Sequence, residues 1–244
     1  MTASSFVTGA GIEVGAVTAA QMRKVDRIAI EEIGPNLYQM MENAGRNLAA
    51  LTIRLLGSEW RDKRIVVLAG TGGNGGGGIC GARHLANRGG DVLVVVSDAT
   101  NLREVPARQL ATYRGTDGRV LGPDELGGLD PSFILDAVIG YSLSGPPRGP
   151  ALHMIEWALS EEAPVISLDI PSGIDSTTGK APTTHVVAAH TMTLALPKTG
   201  LDGVAAGDLW LADIGIPRET YRRAGLAVPA KLFGDGFTVP IRAS

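Results

Sequence analysis

Short apolar runs that alternate with helical segments constrain the fold of this chain more than any other feature of its sequence. The run at 64–69 is rich in β-branched residues, which is typical of a strand buried on both faces. Strands that alternate with helices predict an α/β fold, in which a mostly parallel sheet carries helices on both faces. The further strands are predicted at 91–97, 133–139, 164–168, 191–196 and 209–212.

Helical periodicity predicts two amphipathic helices before the first strand. Thr18 and Gln21 have the spacing of a capping box, and the first helix is expected to stop at Gly34-Pro35. The second helix is expected to begin at Asn36 and to carry one apolar stripe. Later helices are expected after a glycine-rich turn up to about Asn87, from Pro106 through Tyr113, and from Pro150.

The domain organisation follows from the same pattern. Residues 1–16 are rich in Ser, Thr and Gly and lack the basic and apolar regions of a signal peptide, so they are predicted to form a mobile N-terminal arm. Residues 17–244 are predicted to form a single domain, because this length is common for one α/β domain.

Composition and charge exclude several classes of protein. With 44% hydrophobic and 19% charged residues, the chain suits a globular domain rather than a disordered or collagen-like chain. The net charge of −3 comes from interspersed acidic and basic residues, so neither nucleic acid nor a membrane is an expected partner. The apolar runs are too short to span a bilayer, and the single Cys80 cannot form an intrachain disulfide, which favours a cytoplasmic location.

A glycine-rich run follows the first predicted strand. Seven of the nine residues in 70–78 are glycine, and they satisfy the pattern G-x-G-x-x-G from Gly70 onwards. Glycine lets a ligand approach the backbone, and the N-terminus of the next helix offers unpaired N–H groups to a phosphate. The run therefore favours an anion-binding loop, with Asp98 near the position of a ribose-binding acid. A tight turn required only for packing is the alternative.

Two aspartates leave buried strands and enter polar turns. A carboxylate at Asp136 suits a cation or a ligand hydroxyl, although a capping or solvated role is the alternative. Asp169 leads into a Pro-Ser-Gly turn, and a buried carboxyl group at such a place suits proton transfer. Asn74, Asp136 and Ser172 would supply the oxygen ligands that a hard cation prefers, although the sequence does not show that they converge.

The remaining candidates are interpreted as structural. The four histidines do not have metal-ligand spacing, and Ser172 lacks the G-x-S-x-G turn of a serine hydrolase. No G-x-x-x-x-G-K-[ST] string is present, which argues against a P-loop NTPase. Cys80, Met40 and Met41 lie in apolar helical stripes and are predicted to be core residues.

Five motifs, in order along the chain, match one protein family. Over about residues 18–214 the chain resembles the NAD(P)H-hydrate epimerase family, also called YjeF N-terminal domains. Five ordered matches are much more specific than any one of them. The motifs are Met41-Glu42-Asn43-Ala44-Gly45-Arg46, the glycine run with Ala82-Arg83-His84-Leu85 after it, residues 136–140, residues 169–173 and the turn 196–201.

The resemblance implies a fold, a reaction and a set of partners. The fold would be a three-layer Rossmann-like fold, often dimeric, with a bound potassium ion. Members of the family are isomerases that equilibrate the R and S forms of NADH or NADPH hydrated at C6 of the nicotinamide ring. A dehydratase then completes the repair of the nucleotide. The expected partners are therefore a small dinucleotide substrate, a second copy of the chain and a separate dehydratase.

The resemblance also implies roles for individual positions. Asp169 falls at the position of the family's acid/base residue, and Asn74, Asp136 and Ser172 fall at the positions of its potassium ligands. The substrate contacts fall on Gly72, Gly73, Asn74, Gly75, Gly76, Gly77, Gly140, Tyr141, Ser142, Leu143, Ser144, Gly145, Pro146 and Asp169.

The glycine run departs from the family pattern at two positions. The family usually reads Asn-Asn-Gly-Gly-Asp-Gly, whereas here Gly73 and Gly77 replace an amide and a carboxylate. Three alternatives stay open: a relative acting on another hydrated or heteroaromatic substrate, a non-catalytic nucleotide-binding or interaction module, and an NAD-dependent dehydrogenase. Asp169 and Ser172 argue against a bare binding module, and no proton-relay residue or substrate domain of a dehydrogenase is evident.

Overall fold

The computed structural model describes residues 5–201, 206–234 and 236–244, in which one sheet carries helices packed against it. The ten strands in these ranges are β1 (Ser5–Thr8), β2 (Glu13–Gly15), β3 (Arg64–Ala69), β4 (Asp91–Val96), β5 (Arg119–Leu121), β6 (Phe133–Ala137), β7 (Val165–Leu168), β8 (His190–Leu194), β9 (Asp208–Ala212) and β10 (Thr238–Ala243). Their order across the sheet is β2-β1-β10-β9-β8-β7-β6-β3-β4-β5.

Helices cover this sheet. Capping boxes at Thr18 and Asn36 begin the first two helices, and a π-helical turn, Ala29–Ile33, extends the first. Within the described ranges no helix is both long and apolar enough to cross a membrane. The α-helices there are α1 (Ala19–Ile28), α2 (Leu37–Leu56), α3 (Gly73–Ala86), α4 (Glu104–Tyr113), α5 (Gly149–Ser160) and α6 (Arg218–Ala224).

The strands from β9 to β5 are all parallel, which confirms the predicted α/β class. On β3, Ile65 and Val67 join a core that includes residues of α2, α3 and α4. Val66 and Leu68 alternate with them and join the core that α5 covers. Because successive side chains of a strand point to opposite faces, this continuous apolar run serves two cores at once. The sheet is therefore the middle layer of three, as the resemblance implies.

The glycine-rich run is a turn only at its start. Residues 70–72 follow β3, but Gly73 is already the first residue of α3, so 73–78 are helical and not part of a loop as the sequence predicts. A Cβ atom at Gly78 would overlap the side chain of Ala137 on β6. One at Gly76 would lie 2.6 Å from Sδ of Met41 on α2. The close packing of α3 therefore outweighs the low helix propensity of glycine.

Over the described residues 5–16 the N-terminal segment differs from the mobile arm expected over residues 1–16, and residues 1–4 lie outside the described residues. Residues 5–8 and 13–15 are the paired strands β1 and β2, and β1 also pairs with β10. Phe6 lies opposite Ala243 and is completely buried. The sequence pattern did not reveal these strands, because β1 is only four residues long and its partner β10 lies at the other end of the chain.

Other boundaries shift by a few residues. Pro106 is the third residue of α4 rather than the first, and β6 ends at Ala137 instead of continuing to Ile139. The sequence pattern did not predict β5, β10 or α6. β5 and α6 are three and seven residues long, too short for a clear periodic signal.

Candidate functional site

A cavity of about 550 Å³ lies beside the carboxyl ends of β6 and β7 and the N-terminus of α3. This is the end of a parallel sheet at which α/β proteins bind their ligands. A shallower cleft of about 890 Å³ lies near β1, β2 and α6, and no predicted site residue lines it. The apolar wall of the cavity includes Met22, Leu37, Met40, Met41, Val105 and Ile214, and its polar wall includes Asp26, Asn74, Tyr141, Asp169 and Lys198.

Asp169 stands at the polar wall, directly after β7. Its φ of 73° lies in the left-handed region, which aspartate tolerates better than most residues. The carboxylate accepts hydrogen bonds from the N–H groups of Tyr141, at 3.0 Å, and Leu194, at 3.3 Å. It also forms an ion pair with the ammonium group of Lys198. A buried carboxylate with three donors is held in one position relative to the cavity.

Lys198 is the partner that sequence reasoning missed. Its side chain is 1% exposed, and its ammonium group also donates to the carbonyl oxygen of Leu194 at 2.8 Å. The sequence shows Lys198 within a matched turn but assigns it no role. The available signal was a lysine that directly follows Leu196 and Pro197, because a charged side chain there needs a buried partner.

Asp26 is the second missed residue, and α1 brings it to the same wall. The hydroxyl of Tyr141 donates a hydrogen bond to the Asp26 carboxylate. Burial raises the pKa of Asp26, while the Tyr141 hydroxyl and the charge of Lys198 act against this rise. Burial and the nearby Asp26 charge also raise the pKa of Tyr141. The available signal was an aspartate four residues after Met22, on the apolar side of α1.

Asp136 and Ser172, both predicted cation ligands, are in direct contact. Asp136 is fully buried and accepts hydrogen bonds from the hydroxyl and N–H groups of Ser172, at 2.6 and 2.9 Å. The Ser167 hydroxyl adds a third at 2.8 Å, and the Val138 N–H a fourth at 3.2 Å. Burial raises the pKa of Asp136, and these hydrogen bonds partly offset the rise.

Asn74, the third predicted ligand, lies beside the same segment of chain. Its side chain is so close to Gly140 that a Cβ there would lie 3.1 Å from Cγ and Oδ1 of Asn74. The neighbouring Ile139 N–H donates to the Ser172 hydroxyl at 2.8 Å. Within the described chain, Nδ2 of Asn74 is buried and has no hydrogen-bond partner. Residues 139–140 thus lie between Asn74 and Ser172, and the three side chains gather in one region.

Only some of the predicted substrate contacts line the cavity. Gly73, Asn74, Gly77, Gly140, Tyr141, Ser142 and Asp169 do so. Gly75 and Gly76 are buried in α3, and Gly72 precedes it. Leu143, Ser144, Gly145 and Pro146 follow the lining segment but are not among the lining residues. Asp98 is exposed and bonds Thr100 instead of facing the cavity.

A cluster outside the cavity joins α2 to α3. Glu42, Cys80 and His84 place their ligand atoms within 4.8 Å of one another, as metal ligands do. However, Nη2 of Arg83 lies 2.6 Å from a Glu42 oxygen and 3.4 Å from both Sγ of Cys80 and Nε2 of His84. The Arg83 guanidinium group therefore occupies the position that a metal ion would need. Burial raises the pKa of Glu42, but hydrogen bonds from its three neighbours outweigh this and lower it overall.

Comparison with known proteins identifies the family. Residues 37–200 match the family described as YjeF-related protein N-terminus. The chain belongs to this family. An NAD(P)H-hydrate epimerase of Dehalogenimonas lykanthroporepellens is 48% identical over 244 residues, which cover 99% of both chains. The family assignment confirms the resemblance found in the sequence.

Among less similar relatives, some are matched by this chain over nearly their whole length and others over less than half of it. An NAD(P)H-hydrate epimerase of Truepera radiovictrix is 36% identical, over 86% of this chain and 94% of that one. A bifunctional NAD(P)H-hydrate repair enzyme Nnr of Salinibacter ruber is 35% identical, over 85% of this chain but only 42% of the longer protein. The crystal structure of the yeast protein ynu0 superposes with a TM-score of 0.80 at 23% identity, over 92% of this chain and 99% of that one, which supports the fold.

Proposed function

We propose that this protein is an isomerase that interconverts the R and S forms of hydrated NADH and NADPH. The structural observation that carries the proposal is the Asp169 carboxylate, fixed by Lys198 at the wall of a cavity that apolar side chains also line. The relative with 48% identity over the full chain bears the name of this activity. The reaction needs proton transfer to and from the oxygen on C6 and no net oxidation.

The proposed mechanism begins with departure of the C6 hydroxyl group. The lone pair of the ring nitrogen drives this step and leaves a conjugated, planar iminium ion. Water then adds to either face of the planar ring, which exchanges the R and S forms. Asp169 faces the cavity and exchanges protons with the reacting oxygen. General acid–base catalysis of this kind contributes about 10²–10⁴ in rate.

Different lining residues of the cavity are proposed to bind the ring and the phosphates of the substrate. The side chains of Met40 and Met41 offer a polarizable apolar surface to the planar ring. Arg23 and Arg103 line the same cavity, and their guanidinium groups would attract the phosphates. The N–H groups at the start of α3 add a partial positive charge for the same phosphates.

Potassium is the cation proposed for Asn74, Asp136 and Ser172, and their chemistry fits it. Among the described residues, no cationic side chain pairs with the buried Asp136 carboxylate, and one polar atom of Asn74 has no partner. Because rotation of an amide exchanges nitrogen and oxygen, that position also suits an oxygen ligand. When bound, the ion supplies positive charge that offsets the Asp136 carboxylate and the phosphates of the substrate.

Thermal unfolding tests the potassium proposal without an activity assay. Potassium chloride is expected to raise the Tm of the wild type more than choline chloride at equal ionic strength, because an ion that binds only the folded state stabilises it. Asp136→Asn should lose this difference, whereas Asp98→Asn, at an exposed site outside the cavity, should retain it. Equal Tm values in the two salts would contradict potassium binding.

A homodimer and a separate dehydratase are the proposed partners. The longer repair enzyme, of which this chain matches 42%, is named as bifunctional. A dehydratase that acts on the product is therefore proposed for the second step. Sedimentation at several protein concentrations tests the dimer, and a mass that stays at that of one chain contradicts it.

A coupled assay tests the reaction itself. A mixture of the R and S forms of hydrated NADH (NADHX) is treated with an excess of an S-specific dehydratase. This enzyme consumes the S form and leaves the R form. Added protein should drive the R form to zero, and Asp169→Asn should abolish this effect. Asp98→Asn is the matched control and should retain the activity, because Asp98 is exposed and does not line the cavity. Persistence of the R form at high protein concentration contradicts the proposal.

Gly73 and Gly77 favour a second candidate, a family member that acts on another hydrated or heteroaromatic substrate. Gly73 has room for the family's asparagine, because the nearest atom to its Cβ position is Cε of Met41 at 3.6 Å. Gly77 is tighter, with Leu168 at 3.0 Å, and both positions line the cavity. If the wild type is inactive on the hydrates and a folded Gly73→Asn, Gly77→Asp variant becomes active, the second candidate is favoured.

A further inference from the structure

The Asp169–Lys198 pair leaves one step of the proposed reaction without a proton donor. In its ion pair with Lys198 the Asp169 carboxylate carries no proton, so it can receive one from the incoming water. The departing hydroxyl needs a donated proton in the earlier step, in which the ion-paired Asp169 carboxylate has no proton to give. A second proton-carrying group on the wall of the cavity resolves this conflict.

Asp26 and Tyr141 provide such a group. Both residues line the cavity, and the Tyr141 hydroxyl is hydrogen-bonded to the Asp26 carboxyl group. The backbone N–H of the same Tyr141 donates to Asp169 at 3.0 Å. One residue therefore connects the two carboxyl groups of the polar wall, with Asp169 at its backbone and Asp26 at the end of its side chain.

We propose that Asp26, with the hydroxyl of Tyr141, is the second proton-transfer group of this site and protonates the departing hydroxyl, while Asp169 receives the proton of the incoming water. This inference rests on the proposed function. Asp26 comes from α1 and Tyr141 from the segment after β6, so the packing of α1 against the sheet completes the site.

The proton balance of this scheme closes over two steps. In the first, an O–H bond of the Asp26–Tyr141 pair breaks, a new O–H bond forms on the C6 oxygen, and the C–O bond breaks to release water. The nitrogen lone pair becomes the second bond of the iminium. In the second step, water forms the new C–O bond and its proton moves to the Asp169 carboxylate. Transfer of that proton through solvent to the Asp26–Tyr141 pair restores the starting state.

The charged groups around Asp26 are consistent with a proton donor. Burial is the largest influence on the pKa of Asp26 and raises it, and the charge of Asp169 raises it further. The Tyr141 hydroxyl and Lys198 act in the opposite direction, and Tyr221 on α6 also interacts with the Asp26 charge. Arg23 lies near Tyr141, and Lys24 and Arg27 flank Asp26 in α1. A carboxyl group with a raised pKa keeps its proton to a higher pH and loses it as the pH rises further.

Two conservative variants test the inference in the coupled NADHX assay. Asp26→Asn and Tyr141→Phe are each expected to lower kcat by about 10²–10⁴, with little change in KM, because they remove a proton donor and keep the shape of the wall. The wild-type kcat is expected to fall as the pH rises through the pKa of Asp26. The residual activity of Asp26→Asn should lack this fall. Arg27→Gln is the matched control, because Arg27 is an exposed neighbour on α1 outside the cavity, and it should retain wild-type kcat.

The outcomes separate this inference from the proposed function. An active wild type with equally active, folded Asp26→Asn and Tyr141→Phe variants overturns the inference and leaves the epimerase function intact. A loss of activity in Asp26→Asn whose residual kcat still falls at high pH as in the wild type overturns proton donation, because a merely structural role would produce that result. An inactive wild type overturns both. Circular dichroism and Tm values of each variant establish that it is folded.

Discussion

Lys198 forms an ion pair with Asp169 in which the two side chains are only 1% and 4% exposed. The lysine comes from the turn after β8 and the aspartate from the end of β7, so the pair joins two neighbouring strand ends. Burial of two charges is costly, and their mutual attraction offsets this cost only while both partners are present. The pair is therefore both a structural contact and the feature that fixes the carboxylate proposed to act in catalysis.

Removal of the lysine alone is expected to destabilise the protein. Lys198→Met leaves the Asp169 carboxylate buried without its partner, which should lower the free energy of unfolding by about 3–5 kcal/mol. The double variant Asp169→Asn, Lys198→Met removes both charges and should recover most of this loss. Urea unfolding measures each value, and Lys180→Met, at an exposed site, is the control. A single variant as stable as the wild type would show that the pair contributes little.

The central strands were predictable because their signal is local. The run 64–69 is apolar throughout and is β3, and the runs at 91–97 and 133–139 contain β4 and β6. The pairing of Phe6 with Ala243 is not local, since it depends on the two ends of the chain meeting. No periodicity within four residues reveals such a partner, so the sequence predicts a mobile arm there.

The site was predictable in its residue types more than in its contacts. Asp136 and Asp169 stand out because carboxylates seldom end buried strands without a role, and both are buried. Lys198 and Asp26 were missed because their proposed roles depend on partners from other elements, which only the folded chain brings together. The sequence pattern also could not show that the glycines after Gly72 form a helix, because the reason lies in the packing of α3 against β6 and α2.

Two glycines in the first turn of α3 are expected to respond in opposite ways to alanine. A Cβ at Gly75 would overlap the carbonyl oxygen of Gly70, and backbone atoms cannot move aside as a side chain does. Gly75→Ala should therefore cost about 3 kcal/mol or more. Gly73 has only Cε of Met41 nearby, at 3.6 Å, so Gly73→Ala should stabilise the helix by up to about 1 kcal/mol. Chemical unfolding measures both, and equal effects would contradict the packing of α3.

The strand β1 is expected to contribute to stability through one side chain. Phe6 is completely buried in a core cluster with residues of β10 and α1, so Phe6→Ala should cost about 3–5 kcal/mol. Val7, its neighbour, faces the other side and is partly exposed, so Val7→Ala should cost less. Urea unfolding compares the two variants. A small and equal effect for both would restore the interpretation of the segment as a mobile arm.

The Glu42–His84 contact between α2 and α3 is expected to control the titration of the histidine. Burial lowers the pKa of His84 below its usual value of 6.5, and the hydrogen bond that its imidazole donates to the Glu42 carboxylate acts in the opposite direction. Because the folded state binds this proton less tightly than the unfolded chain, the contribution of His84 to stability is fully present above about pH 6.5 and is lost as the pH falls through the lowered pKa. Glu42→Gln removes the opposing charge and should lower the pKa of His84 further. NMR titration of the imidazole measures this shift, with Glu156→Gln on α5 as a control that leaves it unchanged. A pKa of His84 that rises or stays the same in Glu42→Gln would mean that Glu42 does not stabilise the charged imidazole.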